Sequence, residues 1–67
     1  MKLVDQKTGH EVKIGDTVTS FRGEVLYLTN LEEPRHSSST GRVGVKKPGS
    51  NTVFYFFPTV IGCVFVD

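Results

Sequence analysis

Between Val12 and Leu28 the chain reads V-K-I-G-D-T-V-T-S-F-R-G-E-V-L-Y-L, and two turn signals cut it into short extended pieces. The first is Gly15-Asp16 and the second is Arg22-Gly23. Glycine takes positive φ at no steric cost, and an aspartate side chain bonds to its own turn backbone. Val18 and Val25 to Leu28 set apolar, largely β-favouring side chains between those turns. This spacing predicts the opening meander of a small β structure.

The rest of the chain carries the same punctuation. Lys2 to Asp5 is a candidate edge strand, and Gln6-Lys7-Thr8-Gly9 a turn leading back through His10 to Ile14, where Val12 and Ile14 share a face. Thr17 to Phe21 and Glu24 to Asn30 read as the next two strands. In the second, Val25, Tyr27 and Thr29 alternate with Leu26, Leu28 and Asn30. Leu31 to Thr40 is irregular: Pro34 interrupts pairing and Ser37-Ser38-Ser39 offers nothing apolar, so an exposed, mobile loop is expected. Gly41 to Lys46 alternates again, with Val43 and Val45 inward and Arg42, Gly44 and Lys46 outward.

Lys47-Pro48-Gly49-Ser50-Asn51 is the strongest turn signal, because Pro-Gly presets both central positions. Thr52 to Phe57 is the most β-prone run. Pro58 ends it, Thr59 to Gly62 fits one 3₁₀ turn, and Cys63 to Val66 is the closing strand. No segment shows a helical period long enough for an α-helix. Five or six short antiparallel strands, with turns about every eight to twelve residues, argue for an all-β barrel or sandwich. The expected core is Val4, Val12, Ile14, Val18, Val25, Leu26 or Leu28, Val43, Val45, Phe54, Phe56, Val60, Ile61, Val64 and Phe65.

Sixty-seven residues allow a single domain, 1–67. A chain of this size buries only about 60% of the surface it exposes when unfolded. Its single cysteine, Cys63, excludes an internal disulfide. Cys63, His10 and His36 lack the paired spacing of a zinc site, so no metal and no cofactor are expected. The remaining routes to stability are well-idealised packing or oligomerisation. A net charge of +1 excludes a strong whole-molecule pull on nucleic acid, though not a local basic patch. Met1-Lys2 leads into no apolar segment of signal type, and the most apolar run, Val53 to Val66, is interrupted by Pro58 and Gly62. With one cysteine, these features fit a soluble protein of the cytoplasm that needs no membrane.

The order of motifs resembles a known architecture. Gly15-Asp16-x-Val18, the Gly23-Glu24-Val25 strand, a variable loop, Gly41-Arg42-Val43-x-Val45, and a short turn from Pro58 to Gly62 are similar to the SH3-like barrels, including the KOW and Tudor types. The resemblance covers Val12 to Val66. It implies a small barrel with a 3₁₀ turn before its last strand, and binding of RNA, DNA, ribosomal surfaces or peptides through loops and exposed aromatics. A narrower similarity joins Leu28-Thr29-Asn30-Leu31, Pro48-Gly49-Ser50 and Tyr55-x-x-Pro58 to the plasmid-borne, trimethoprim-insensitive dihydrofolate reductases. That family carries Val-Gln-Ile-Tyr where this chain has Thr52-Val53-Phe54-Tyr55. Without the glutamine that would contact folate and nicotinamide, the resemblance implies the barrel and not the reductase. Size and architecture also suit a small accessory protein of a bacterium, phage or plasmid.

Two groups of residues compete for the functional role. Phe54 and Phe56 alternate with Tyr55 and Phe57, so one strand carries aromatics on both faces, more than one small core absorbs. Tyr27, Tyr55 and Phe57, with Arg35 and His36 in the 31–40 loop, form the expected contact surface for a protein partner or a second copy. The alternative is a KOW- or Tudor-like grip on RNA or DNA phosphates by Arg35, His36, Arg42, Lys46 and Lys47, opposed by Glu32 and Glu33. Neither histidine has a nucleophile or carboxylate at useful spacing, and a serine tract supplies no oriented base. No catalytic residue and no small-molecule substrate are therefore expected. Cys63 reads as a small buried hydrophobe rather than a reactive thiol.

Overall fold

A computed structural model describes residues 1–36 and 38–67, and among them all regular structure is β apart from one 3₁₀ turn. The strands are β1 (Lys2–Asp5), β2 (Glu11–Val12), β3 (Thr17–Thr19), β4 (Val25–Glu32), β5 (Arg42–Lys46), β6 (Val53–Phe56) and β7 (Cys63–Val66). They form two antiparallel sheets, one ordered β2-β1-β7 and the other β3-β4-β5-β6. The all-β expectation holds. The strands number seven rather than five or six, and the two sheets do not close into one barrel. The 3₁₀ turn, Pro58–Ile61, stands before the last strand as expected.

The turns form where their chemistry requires. Asp5 anchors the first, its Oδ1 accepting from the Lys7 N–H at 2.8 Å and the Thr8 N–H at 3.3 Å. Asp16 holds the second, its Oδ2 accepting from the Lys13 N–H at 3.0 Å. The third is built on Ser20, whose buried hydroxyl oxygen accepts from the Arg22 and Glu24 amides at 3.2 and 3.3 Å. At Pro48-Gly49 the positive φ of Gly49, 79°, and the Ser50 N–H to Lys47 C=O bond of 3.1 Å make a type II turn.

Strand β4 departs from simple alternation. Leu26 and Leu28 both point into the core, but the register against β5 shifts between Leu28 and Asn30. The extra residue at Thr29 is a β-bulge, which turns Asn30 outward instead of leaving it on the leucine face. The strand then runs on to Glu32, so Leu31 and Glu32 belong to β4 and the irregular segment begins at Glu33. Ser37, part of the expected loop, lies outside the described residues.

Leu3, Val18, Leu26, Leu28, Val43, Val45, Ile61 and Cys63 are buried between the sheets. Val12, Leu31, Phe56 and Phe65 pack against them from half-buried positions. Three expected core residues lie outside: Ile14 is 62% exposed, Val25 53% and Phe54 41%. Ile14 follows the end of β2 and precedes the Gly15 turn, so no neighbouring strand covers it. Val25 pairs with Thr19 on the outer face of its sheet. Phe54 does lie on the same side as Phe56, but β6 is the last strand of its sheet and no described strand crosses over its outer end. Leu3, absent from the expected core, is fully buried because β1 is central in its sheet, between β2 and β7.

Candidate functional site

Pairing across the larger sheet assembles its outer face. Tyr27 stands opposite Lys46, and Lys46 opposite Val53. Asn30 stands opposite Gly44, and Gly44 opposite Tyr55. Because Gly44 has no side chain, the Tyr55 ring lies across it; a Cβ there would sit 3.1 Å from Tyr55 Cε1 and 2.9 Å from Asn30 Cβ. The Asn30 Nδ2 amide donates to the Tyr55 hydroxyl oxygen at 2.8 Å. The ring is thus held at its tip and supported from beneath while the residue remains exposed.

Just past β6, Phe57 carries the Arg42 guanidinium 4.1 Å from its ring centroid, a cation–π contact. Val25, Tyr27, Val53, Tyr55 and Phe57 are all exposed on this face. Tyr27, Tyr55 and Phe57 therefore do come together, and Val25, Val53, Asn30 and Gly44 join them. No sequence signal marks Asn30 and Gly44, because their roles depend on the register the Thr29 bulge sets.

The basic residues do not form one patch. Arg35, His36 and Arg42 line a shallow depression with Glu32 and Glu33. The two carboxylates lower its net charge, and Glu33 lies 4.0 Å from the amino terminus. Lys46 stands at the other end of β5, about 13 Å away along the strand. Lys47 turns toward the opposite side and pairs with Glu24 at 3.6 Å.

A second feature lies under β6. A cleft of about 460 Å³ opens between the Ser20–Glu24 turn and the inner side of the strand, lined by Phe21, Leu26, Phe54, Phe56 and Val60. Phe54 and Phe56 stack in it with centroids 6.3 Å apart. Glu24 and Lys47 sit on its rim.

Cys63 is buried, and its thiol donates to the Ile61 carbonyl at 3.5 Å. Burial first, and the Asp5 carboxylate second, push its pKa up to about 11, so the nucleophilic thiolate is suppressed near neutrality. Among the described residues no helix is long and apolar enough to cross a membrane. None of them forms a group of His, Cys, Asp and Glu that could hold a metal ion.

These features define the chain as a small two-sheet β domain with an aromatic outer face and an uncovered edge strand beside an apolar cleft. It matches no known family model, and no curated protein or solved structure matches it at a significant level.

Proposed function

We propose that this chain is a non-enzymatic SH3-like binding module that docks a protein surface on the outer face of β3-β4-β5-β6, with the 31–40 loop at its margin. The observation that carries the reading is Tyr55, pinned by Asn30 and lying over Gly44. An aromatic ring already fixed in place contributes contact area at little further entropic cost on binding. Tyr27, Phe57, Val25 and Val53 extend that contact, and Arg42 and Lys46 supply a polar margin. Exposed apolar residues gathered on one face of so small a domain are the composition of an interface rather than of ordinary surface.

The test is a photo-crosslinking benzophenone amino acid at Tyr27, with the same group at Lys7 as the control. Discrete protein adducts from position 27 and none from position 7 are expected in the native cells. Absence of any protein adduct at Tyr27 would refute the reading.

A second reading has its own support, since Arg42 and Lys46 share the outer face with Tyr27 and Tyr55. Interleaved cations and aromatic rings suit single-stranded nucleic acid. That reading requires a short oligonucleotide to shift the Tyr55, Arg42 and Lys46 NMR signals at low salt, with the shifts fading as salt rises.

A further inference from the structure

Strand β6 ends the larger sheet, and the direction of its backbone groups follows from bonds further in. The Gly15 N–H donates to the Leu28 carbonyl at 2.8 Å and the Leu28 N–H to the Asp16 carbonyl at 3.0 Å, so Leu28 faces the β3 side. Alternation turns Tyr27 toward β5 and its partner Lys46 back toward β4. Val45 and Val43 then face β6, where they meet Phe54 and Phe56. The Gly44 carbonyl agrees: it points to β4, where the Thr29 hydroxyl donates to it at 3.0 Å. Val53 and Tyr55 are left with N–H and C=O groups directed away from the sheet.

Exposed edges are ordinarily protected by charge, proline, a bulge or a covering segment. Strand β6 contains none of the first three, and the chain has no charged residue between Lys47 and Asp67. Val53, Phe54 and Tyr55 are exposed, so among the described residues no segment covers it.

We infer that β6 pairs antiparallel with β6 of a second copy about a two-fold axis at Tyr55. This goes beyond the outer-face reading, since it uses the edge of the same sheet and names a second copy as the partner there. Together with Phe57, which follows it and whose carbonyl also accepts from the Val60 N–H at 3.0 Å, the strand is self-complementary on both faces: Val53 would meet Phe57 of the other copy, Phe54 would meet Phe56, and Tyr55 its own counterpart. Each pair lies on one side of the sheet, as antiparallel pairing requires. The flanking Lys47 is already neutralised by Glu24 within its own protomer. The apolar cleft beneath Phe54 and Phe56 would become continuous across the axis. Two four-stranded sheets would merge into one of eight. Growth stops there, because β3 at each far edge has only three residues, and the N–H of the following Phe21 is bonded to the Val60 carbonyl at 3.0 Å.

The experiment combines sedimentation equilibrium with amide hydrogen exchange across a range from micromolar to millimolar protein. The expected result is a monomer–dimer equilibrium. The Val53 and Tyr55 amides should exchange rapidly when dilute and slowly when concentrated, while Phe54 and Phe56 stay protected throughout. Val53→Pro removes an outward N–H but no bond to β5, so it should weaken dimerisation by about tenfold or more and leave the fold intact. Val53→Lys, which adds an edge charge, should act alike and serves if the proline variant does not fold. A monomer at every concentration, or a dimer in which the Val53 and Tyr55 amides still exchange freely, would overturn the inference. A strict monomer whose Tyr27 crosslinks a different protein would sink the pairing and leave the protein-binding reading standing. A β6-paired dimer with no protein adduct at Tyr27 would do the reverse.

Discussion

Asn30 and Tyr55 are twenty-five positions apart in the chain and 2.8 Å apart in space, joined by a hydrogen bond that passes over Gly44. The bond ties the strand after the bulge to the edge strand and leaves only the central glycine between them. Its consequence is a sharp steric prediction. Gly44→Ala would place a Cβ 2.9 Å from Asn30 Cβ, 3.1 Å from Tyr55 Cε1 and 3.3 Å from Val53 Cγ1. The expected cost is about 1–3 kcal/mol, the range for overpacking. Thermal unfolding followed by circular dichroism measures it. Tyr55→Phe, which removes only an exposed hydrogen bond, should cost about 0.5–1 kcal/mol.

Gly41 is constrained twice. Its φ is +80°, and an added Cβ would meet the Glu32 carbonyl oxygen at 2.6 Å and Phe65 Cε2 at 2.8 Å. Gly49 shares the positive φ but faces open space. Gly49→Ala should therefore cost only the left-handed backbone penalty, about 1–2 kcal/mol. Gly41→Ala should cost distinctly more, because backbone and ring must both move. Equal urea midpoints for the two variants would contradict this account.

The buried thiol makes stability depend on alkaline pH. Cys63 titrates near 9 when free and near 11 when folded, so the folded state holds its proton more tightly between those values. Its contribution is complete below pH 9 and is lost as pH rises toward 11, amounting to about 2 kcal/mol over that window. Other groups also titrate there, so the measured quantity is the difference between the parent and Cys63→Ala. That difference should shrink with rising pH. At neutral pH the parent should react with a thiol reagent only on unfolding.

Leu3 and Ile14 should respond in opposite ways to the same truncation. Leu3 is 0% exposed in the middle of the smaller sheet, so Leu3→Ala should cost about 2–5 kcal/mol. Ile14 stands in solvent, and Ile14→Ala should change stability by no more than about 0.5 kcal/mol. Denaturant titrations of the two variants would show whether β1 belongs to the core.

The difference between those two residues shows what local pattern conveys. The turns at Asp5, Asp16 and Pro48-Gly49 are governed by local chemistry, and they form where their residues stand. The inward facing of Val43 and Val45 follows from uninterrupted alternation. Burial of Leu3 depends instead on β1 lying between β2 and β7, a long-range pairing that alternation does not encode. The exposure of Phe54 likewise depends on β6 being last in its sheet. The site divides in the same way. Surplus aromatics in Thr52 to Phe57 are visible in composition, and Tyr27, Tyr55 and Phe57 do share a face. The separation of Lys47 from Arg35 arises because Arg35 lies beside Arg42, at the start of β5, while Lys47 follows its other end and turns to Glu24, which only the assembled sheet determines.

The bulge at Thr29 acts as a parity switch. Before it, the even-numbered positions Leu26 and Leu28 point inward; after it, the odd-numbered Leu31 does. Straightening the strand so that Thr29 itself paired with Gly44 would exchange inside and outside for the remainder of β4, dragging Asn30 away from Tyr55. Lengthening the chain between Glu33 and Thr40 would exchange nothing. In any set of descendants of this sequence, insertions and deletions should therefore accumulate in that loop, whereas within β4 only loss of Thr29 itself would keep Asn30 opposite Gly44 and Leu31 inward.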